Sequence, residues 1–303
     1  MVSHVGDCAS RGGWVKKNFI YLVILVNILF LSAPSGFAGE PQRLLVEKLL
    51  IAEGLDPSQV QNIMKDHRVS VRPEIIIKNL FFSSPKGKKG KHDVMAVDPR
   101  QIEQGFTFMK ENADVLSVVE KRFGVSPRLI TSILIIESRL GTYPMPYNVV
   151  NAYANLAFVL DPDYFKEVQD SYAVAYPQLL DSATIARAKR KAKWAIDELC
   201  YLVHIANYLG MDPLSISGSF AGALGPAQFI PSSFWIFGID GDQDGVASPF
   251  NMVDAKFSMG YYLKKHGWRE DASLAQKRKA LWYYNRSDVY VNTVMMIYEQ
   301  LGR

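Results

Sequence analysis

From Leu44 onward the apolar positions recur every three or four residues, with little of the alternation that marks a half-buried strand. Leu44, Leu45, Leu49 and Ala52, with Lys48 among them, predict a first helix, which Gly54 and then Pro57 stop. Residues 58–64 and 73–80 predict two more short helices. Residues 99–123 read as one longer helix, with Phe106, Met109, Ala113, Leu116 and Val119 along its apolar face. Ser126 and Pro127 then open another, a hydroxyl cap followed by proline at the first helical position. Leu129, Ile130, Ile133, Leu134 and Ile136 form its buried stripe, and Gly141 is its expected stop. The expectation is a mainly α protein with no internal repeat.

The first 38 residues read differently. Arg11, Lys16 and Lys17 precede an apolar run from Phe19 to Leu31, and Gly36-Phe37-Ala38 closes it with small residues at the recognition positions. This is the pattern of a secretory signal peptide. The run is short for a membrane span, which needs about 20 apolar residues, so an uncleaved N-terminal anchor is the alternative. Export to the periplasm is expected in the first case and an inner-membrane attachment in the second. Cys8 falls within the signal, which leaves Cys200 as the one mature thiol and excludes an intrachain disulfide. Among Ile196, Leu199 and Val203, Cys200 is expected to be a buried core residue.

At 49% hydrophobic and 21% charged residues, the full chain has the composition of an ordinary globular protein. A net charge of +4 gives no basic stripe, so nucleic acid is not expected as a partner. Residues 83–93, SSPKGKKGKHD, form a basic, glycine-containing stretch that reads as a solvated linker.

The chemistry centres on Glu137. It follows Ile133 by four residues and Leu134 by three, so it projects toward the apolar side of its helix. It also lies in the last turn, where the negative end of the helix dipole opposes a carboxylate. Both effects favour the neutral form and raise its pKa toward the range of a general acid. A buried glutamate satisfied by a cation such as Arg122 is the competing reading.

Five segments in order, VSPRLITSILIIESRLGTYP (125–144), GSFAGALGPAQFIPSSF (218–234), GIDGDQDGVASPFNMVDA (238–255), YYLKKHGW (261–268) and YNRSDVY (284–290), resemble the membrane-bound lytic transglycosylase B family. The resemblance implies a lysozyme-like catalytic core elaborated with additional helices and an EF-hand-like loop. It covers essentially Leu44 to Arg303; with the signal peptide at 1–38, the transglycosylase domain is expected at 39–303, divided into an N-terminal helical part with the basic loop (39–98) and the lysozyme-like catalytic core (99–303). The resemblance puts the catalytic glutamate on Glu137 and substrate-groove residues on Ser219, Gln228, Phe229, Asn285 and Tyr290, with Tyr262 a further groove position. Amides and hydroxyls suit sugar hydroxyls and N-acetyl groups, while aromatic faces suit pyranose rings. One departure concerns residues 160–165, where the family often carries an arginine pair and this chain has none.

Asp240, Asp242, Asp244 and Gly245 match positions 1, 3, 5 and 6 of a calcium loop, and Val246 would offer its carbonyl at position 7. Position 12 is Asn251 instead of glutamate; the family closes a lengthened loop with an aspartate, here Asp254. A structural Ca2+ is expected, with no cofactor for catalysis. The resemblance implies a monomer that cleaves the MurNAc–GlcNAc β-1,4 bond of peptidoglycan strands and leaves 1,6-anhydromuramic ends; wall-remodelling protein partners stay undefined. A hydrolytic lysozyme, with Asp161 or Asp163 as second carboxylate, and a non-catalytic wall-binding protein are the alternatives.

Overall fold

The computed structural model describes residues 39–82 and 93–302, so the expected signal segment and all but the last residue of the basic stretch lie outside the described residues. In chain order the helices are α1 (Glu40–Ala52), α2 (Pro57–Lys65), α3 (Pro73–Phe81), α4 (Pro99–Glu111), α5 (Ala113–Phe123), α6 (Pro127–Ser138) and α7 (Val149–Ala157). They continue as α8 (Pro162–Tyr172), α9 (Ser182–Leu209), α10 (Pro231–Phe237), α11 (Met252–Lys265), α12 (Leu274–Tyr284) and α13 (Asp288–Gln300). Proline opens α2, α3, α4, α6, α8 and α10, where its missing N–H costs no helical bond. One short antiparallel pair, β1 (Tyr147–Asn148) with β2 (Ser217–Gly218), is the sheet content of the described residues.

The described residues fall into two units, each built from two separate stretches of chain. One unit combines described residues 39–82 with 146–222, so α1, α2 and α3 share a core with α7, α8 and α9. All nine residues of α7 are buried, with α9, α3 and α1 packed on it. The other unit joins residues 93–145 to 223–302. There α6 is the central helix, packed by α4, α5, α11 and α13. Ile135 of α6 meets Ile297 and Leu301 from the end of α13, and Ile102 and Met109 of α4 close over them. Gly260 lets α11 approach α5 closely, since a Cβ there would lie 2.7 Å from the Phe123 ring.

Several expectations from periodicity are corrected. In α1 the buried positions are Gln42, Val46, Glu47 and Leu50, while Leu44 is 47% exposed, so the inward face is rotated from the one expected. The expected long helix 99–123 is two helices meeting at Asn112. The Asn112 amide donates to the Phe108 carbonyl and its Oδ1 accepts from buried Lys256, a side-chain competition with the helical ladder that breaks the run. Phe106 and Ala113 consequently sit outside the core, whereas Leu116 and Val119 are buried as expected. The Ser126 hydroxyl does not cap α6; the Glu270 carboxylate accepts the Ser126 N–H at 3.0 Å and supplies the negative charge favoured at that end. Cys200 is half-buried instead of core, and burial pushes its thiol up to about 12.

Candidate active site

Glu137 occupies the last turn of α6 and is 2% exposed. The helix ends one residue later, at Ser138, earlier than the expected stop at Gly141. Arg139, Leu140 and Gly141 take φ values of 49°, 60° and 87°, three left-handed residues in succession, two of them not glycine. Such backbone is costly for side chains with a Cβ and persists only where surrounding bonds hold it. Here the Leu140 N–H reaches the Leu134 carbonyl at 2.9 Å, and the Gly141 N–H reaches the Ser138 hydroxyl at 3.0 Å. The turn that follows the acid is therefore fixed by its own hydrogen bonds.

Both carboxyl oxygens of Glu137 are buried and make no hydrogen bond among the described residues. Arg122, the cation considered as its partner, lies instead over the rings of Phe123 and Phe257. Burial raises the Glu137 pKa to about 8, and the nearby Tyr290 hydroxyl offsets part of that effect. Neither the Tyr290 hydroxyl nor the carboxyl has closed a bond, so both keep capacity for a ligand.

Two other segments of the same unit carry most of the expected groove residues, and Tyr284 and Tyr290 of the second feel the charge of Glu137. The first is the turn from Leu224 to Phe229, closed by the Leu224 N–H on the Phe229 carbonyl at 2.8 Å. Gly225 is required in it: its φ is 56°, and a Cβ would lie 1.8 Å from the Pro249 carbonyl oxygen. Gln228 is fully buried at φ 50°, with its Nε2 donating to the Gly225 carbonyl at 2.8 Å and its Oε1 unpartnered. The second segment joins α12 to α13. Asn285 is 3% exposed with an unpartnered Nδ2, and Tyr290 is fully buried one turn into α13.

Aromatic residues pack these segments together. The Phe229 ring lies 5.4 Å from Tyr262 and 5.6 Å from Tyr284, and Tyr284 runs parallel to Tyr290 at 6.4 Å. Tyr262, expected at the groove, is buried with its hydroxyl donating to the Tyr283 carbonyl at 2.8 Å, so it braces the cluster. Tyr284 was not singled out from the sequence, although it is the first residue of the YNRSDVY segment. Its hydroxyl donates to the Ala227 carbonyl at 2.6 Å and ties α12 to the Gln228 turn. Ser219 belongs to the other unit; it is 4% exposed and its Oγ accepts the Ala221 N–H in a turn. Asp161 caps α8 by accepting the Asp163 and Tyr164 N–H groups.

The acidic loop lies on the unit that carries Glu137. Asp240, Asp242 and Asp244 each bring a carboxylate oxygen within 4.8 Å of the others. Asp240 Oδ1 is buried without a partner, which fits a cation ligand. Asp254 is not part of that cluster. Its two oxygens accept the Gly241 and Ser248 N–H groups, each at 2.8 Å, and burial raises its pKa. Asn251 caps α11 and donates to Asp242, and the Val246 N–H donates to Asp244.

The chain is 27% identical to the membrane-bound lytic murein transglycosylase B of Escherichia coli (strain K12) over 248 residues, which make up 77% of this chain and 59% of that protein. Among solved structures, the Escherichia coli lytic transglycosylase SLT35 in complex with calcium superposes with a TM-score of 0.65 at 21% identity, covering 86% of this chain and 93% of that one. SltB3 from Pseudomonas aeruginosa in complex with NAG-anhNAM-pentapeptide gives 0.66 at 17% identity, covering 88% and 80%. These likenesses establish the mainly helical fold of the lytic transglycosylases. Residues 39–280 match the model of the Transglycosylase SLT domain, and the chain belongs to that family.

Proposed function

We propose that this protein is a peptidoglycan lytic transglycosylase with Glu137 as its single acid and base. The observation that carries the reading is a carboxyl buried without a partner near the Tyr290 hydroxyl, on the unit that also holds the unpartnered polar atoms of Gln228 and Asn285. With a pKa of about 8, roughly nine-tenths of Glu137 is protonated at pH 7. Protonated Glu137 donates to the glycosidic oxygen between MurNAc and GlcNAc as that bond breaks. The resulting carboxylate then takes the proton of the muramic C6 hydroxyl, whose oxygen bonds to C1 and closes the 1,6-anhydro ring. Glu137 ends protonated, and no water is consumed. The substrate's own N-acetyl group takes the part of the second carboxylate that most glycosidases require. The product held by the SltB3 structure, an anhydro-muropeptide by its name, supports this outcome.

Gln228, Asn285 and Tyr290 would bond the sugar substituents, with Phe229 and Tyr262 holding the wall behind them. Asp240, Asp242 and Asp244 would hold a structural Ca2+ with the Val246 carbonyl, while Asp254 orders the loop from beneath; the calcium bound by SLT35 supports the ion's identity. Residues 1–38 would serve as a cleaved signal that places a monomeric enzyme in the periplasm. Among the described residues no helix is long and apolar enough to cross a membrane. Mass spectrometry of purified peptidoglycan after digestion tests the reaction: anhydro ends are expected, reducing ends would establish hydrolysis, and intact strands would establish a binding protein.

A further inference from the structure

Gln228 carries two N–H hydrogens and one carbonyl oxygen on its side chain. One hydrogen goes to the Gly225 carbonyl at 2.8 Å and the other to the Met145 sulfur at 3.3 Å. Both donors are thus spent inside the protein, and the unpartnered Oε1 is what remains. The flipped amide is excluded, because it would set Oε1 against the Gly225 carbonyl, acceptor against acceptor. Met145 is itself well placed to hold this geometry. It lies between Pro144 and Pro146, which restrict the backbone on either side, and it is only partly exposed. Thioether sulfur is a weak acceptor, strong enough to occupy a buried N–H without competing with a carbonyl.

We propose that Met145 is a positioning residue which keeps both Gln228 N–H groups turned inward, so that Gln228 presents an acceptor alone and selects a hydroxyl or amide N–H on the saccharide. The inference rests on the reading of this site as a glycan site for its ligand, but its geometry stands without it. Asn285, on the same unit, offers an unpartnered Nδ2 as a donor. A substituent with the polarity reversed would meet Gln228 oxygen to oxygen.

Two substitutions separate this from mere packing. Met145→Leu keeps volume and apolarity but removes the acceptor, and Met145→Gln restores an acceptor at similar reach while adding polarity. Hydrogen exchange of the Gln228 side-chain amide, followed by 15N NMR, reads the bond directly in the full chain. Activity on peptidoglycan reads its consequence. Met145→Leu should speed exchange of one Gln228 hydrogen and lower kcat/KM roughly two- to tenfold, mainly through KM, with an unchanged melting temperature. Met145→Gln should bring both back toward the parent. Unchanged exchange in Met145→Leu, or a Gln variant worse than the Leu variant in exchange, would overturn the proposal. If exchange responds as expected while the parent protein leaves peptidoglycan intact, the positioning role stands and the proposed function fails.

Discussion

Replacing Glu137 by glutamine should stabilise the protein, by an amount that grows with pH. Glu137 has an ordinary carboxyl pKa of 4.5 and is raised to about 8 by burial. Between those values the folded chain holds a proton that the unfolded chain has released, so stability falls as pH rises through that window. Above the folded pKa the loss is complete, and below the unfolded pKa it is absent. At 1.36 kcal/mol per unit, the penalty is about 1 kcal/mol at pH 5, about 3 kcal/mol at pH 7 and nearly 5 kcal/mol at pH 9. Glutamine matches the neutral acid in size and never ionises, so the variant escapes the whole sequence. The gap at pH 7 corresponds to several degrees in melting temperature. Thermal melts of both proteins from pH 5 to 9 should diverge steadily toward alkaline pH and run parallel only beyond about pH 8. Turnover of peptidoglycan by the variant should meanwhile fall by on the order of 10² or more. Melting curves that stay parallel from pH 5 to 9 would show that the native carboxyl is already ionised, and the assignment of Glu137 as the proton donor would go with it.

Three further outcomes follow from neighbouring geometry. Tyr290→Phe removes the hydroxyl that holds the Glu137 pKa down, so the alkaline limb of the activity profile should move to higher pH; an unmoved limb in a folded variant would separate the two groups. Chelation should lower the melting temperature and calcium restore it, by roughly 2.7 kcal/mol at a hundredfold excess over Kd, and Asp244→Ala should abolish that response. A melting temperature indifferent to both would reduce the three aspartates to a solvated turn. Gly225→Ala forces a Cβ to 1.8 Å from the Pro249 carbonyl and should cost about 3 kcal/mol or more, read by chemical denaturation; a loss under 1 kcal/mol would mean the turn is not held as described.

The sequence revealed this molecule unevenly, for physical reasons. Helix starts were readable because proline and its capping neighbours act locally, as at α3, α4 and α6. Faces were less readable, since they depend on what packs against them: α1 turns Val46 and Leu50 inward and leaves Leu44 outside. The break at Asn112 depends on Lys256, 144 residues away, and no local pattern could announce it. The burial of Glu137 was legible from spacing alone, because α6 is buried around almost its whole circumference, whereas its role as an acid needed the resemblance of the flanking segments. The role of Tyr284 was hidden, because its hydroxyl is defined by a carbonyl at Ala227, on a turn distant in sequence. The two-unit division was hidden likewise: it interleaves segments of the chain that share one composition.

Asp254 grips the acidic loop at both ends, one oxygen on Gly241 and the other on Ser248. The grip comes from the first turn of α11, and Asn251 at the head of the same helix adds a third hold, on Asp242 in the loop's interior. Such a loop behaves as a cassette. Its interior can lengthen, shorten or exchange its ligands over evolutionary time while the anchoring carboxylate keeps the ends in register.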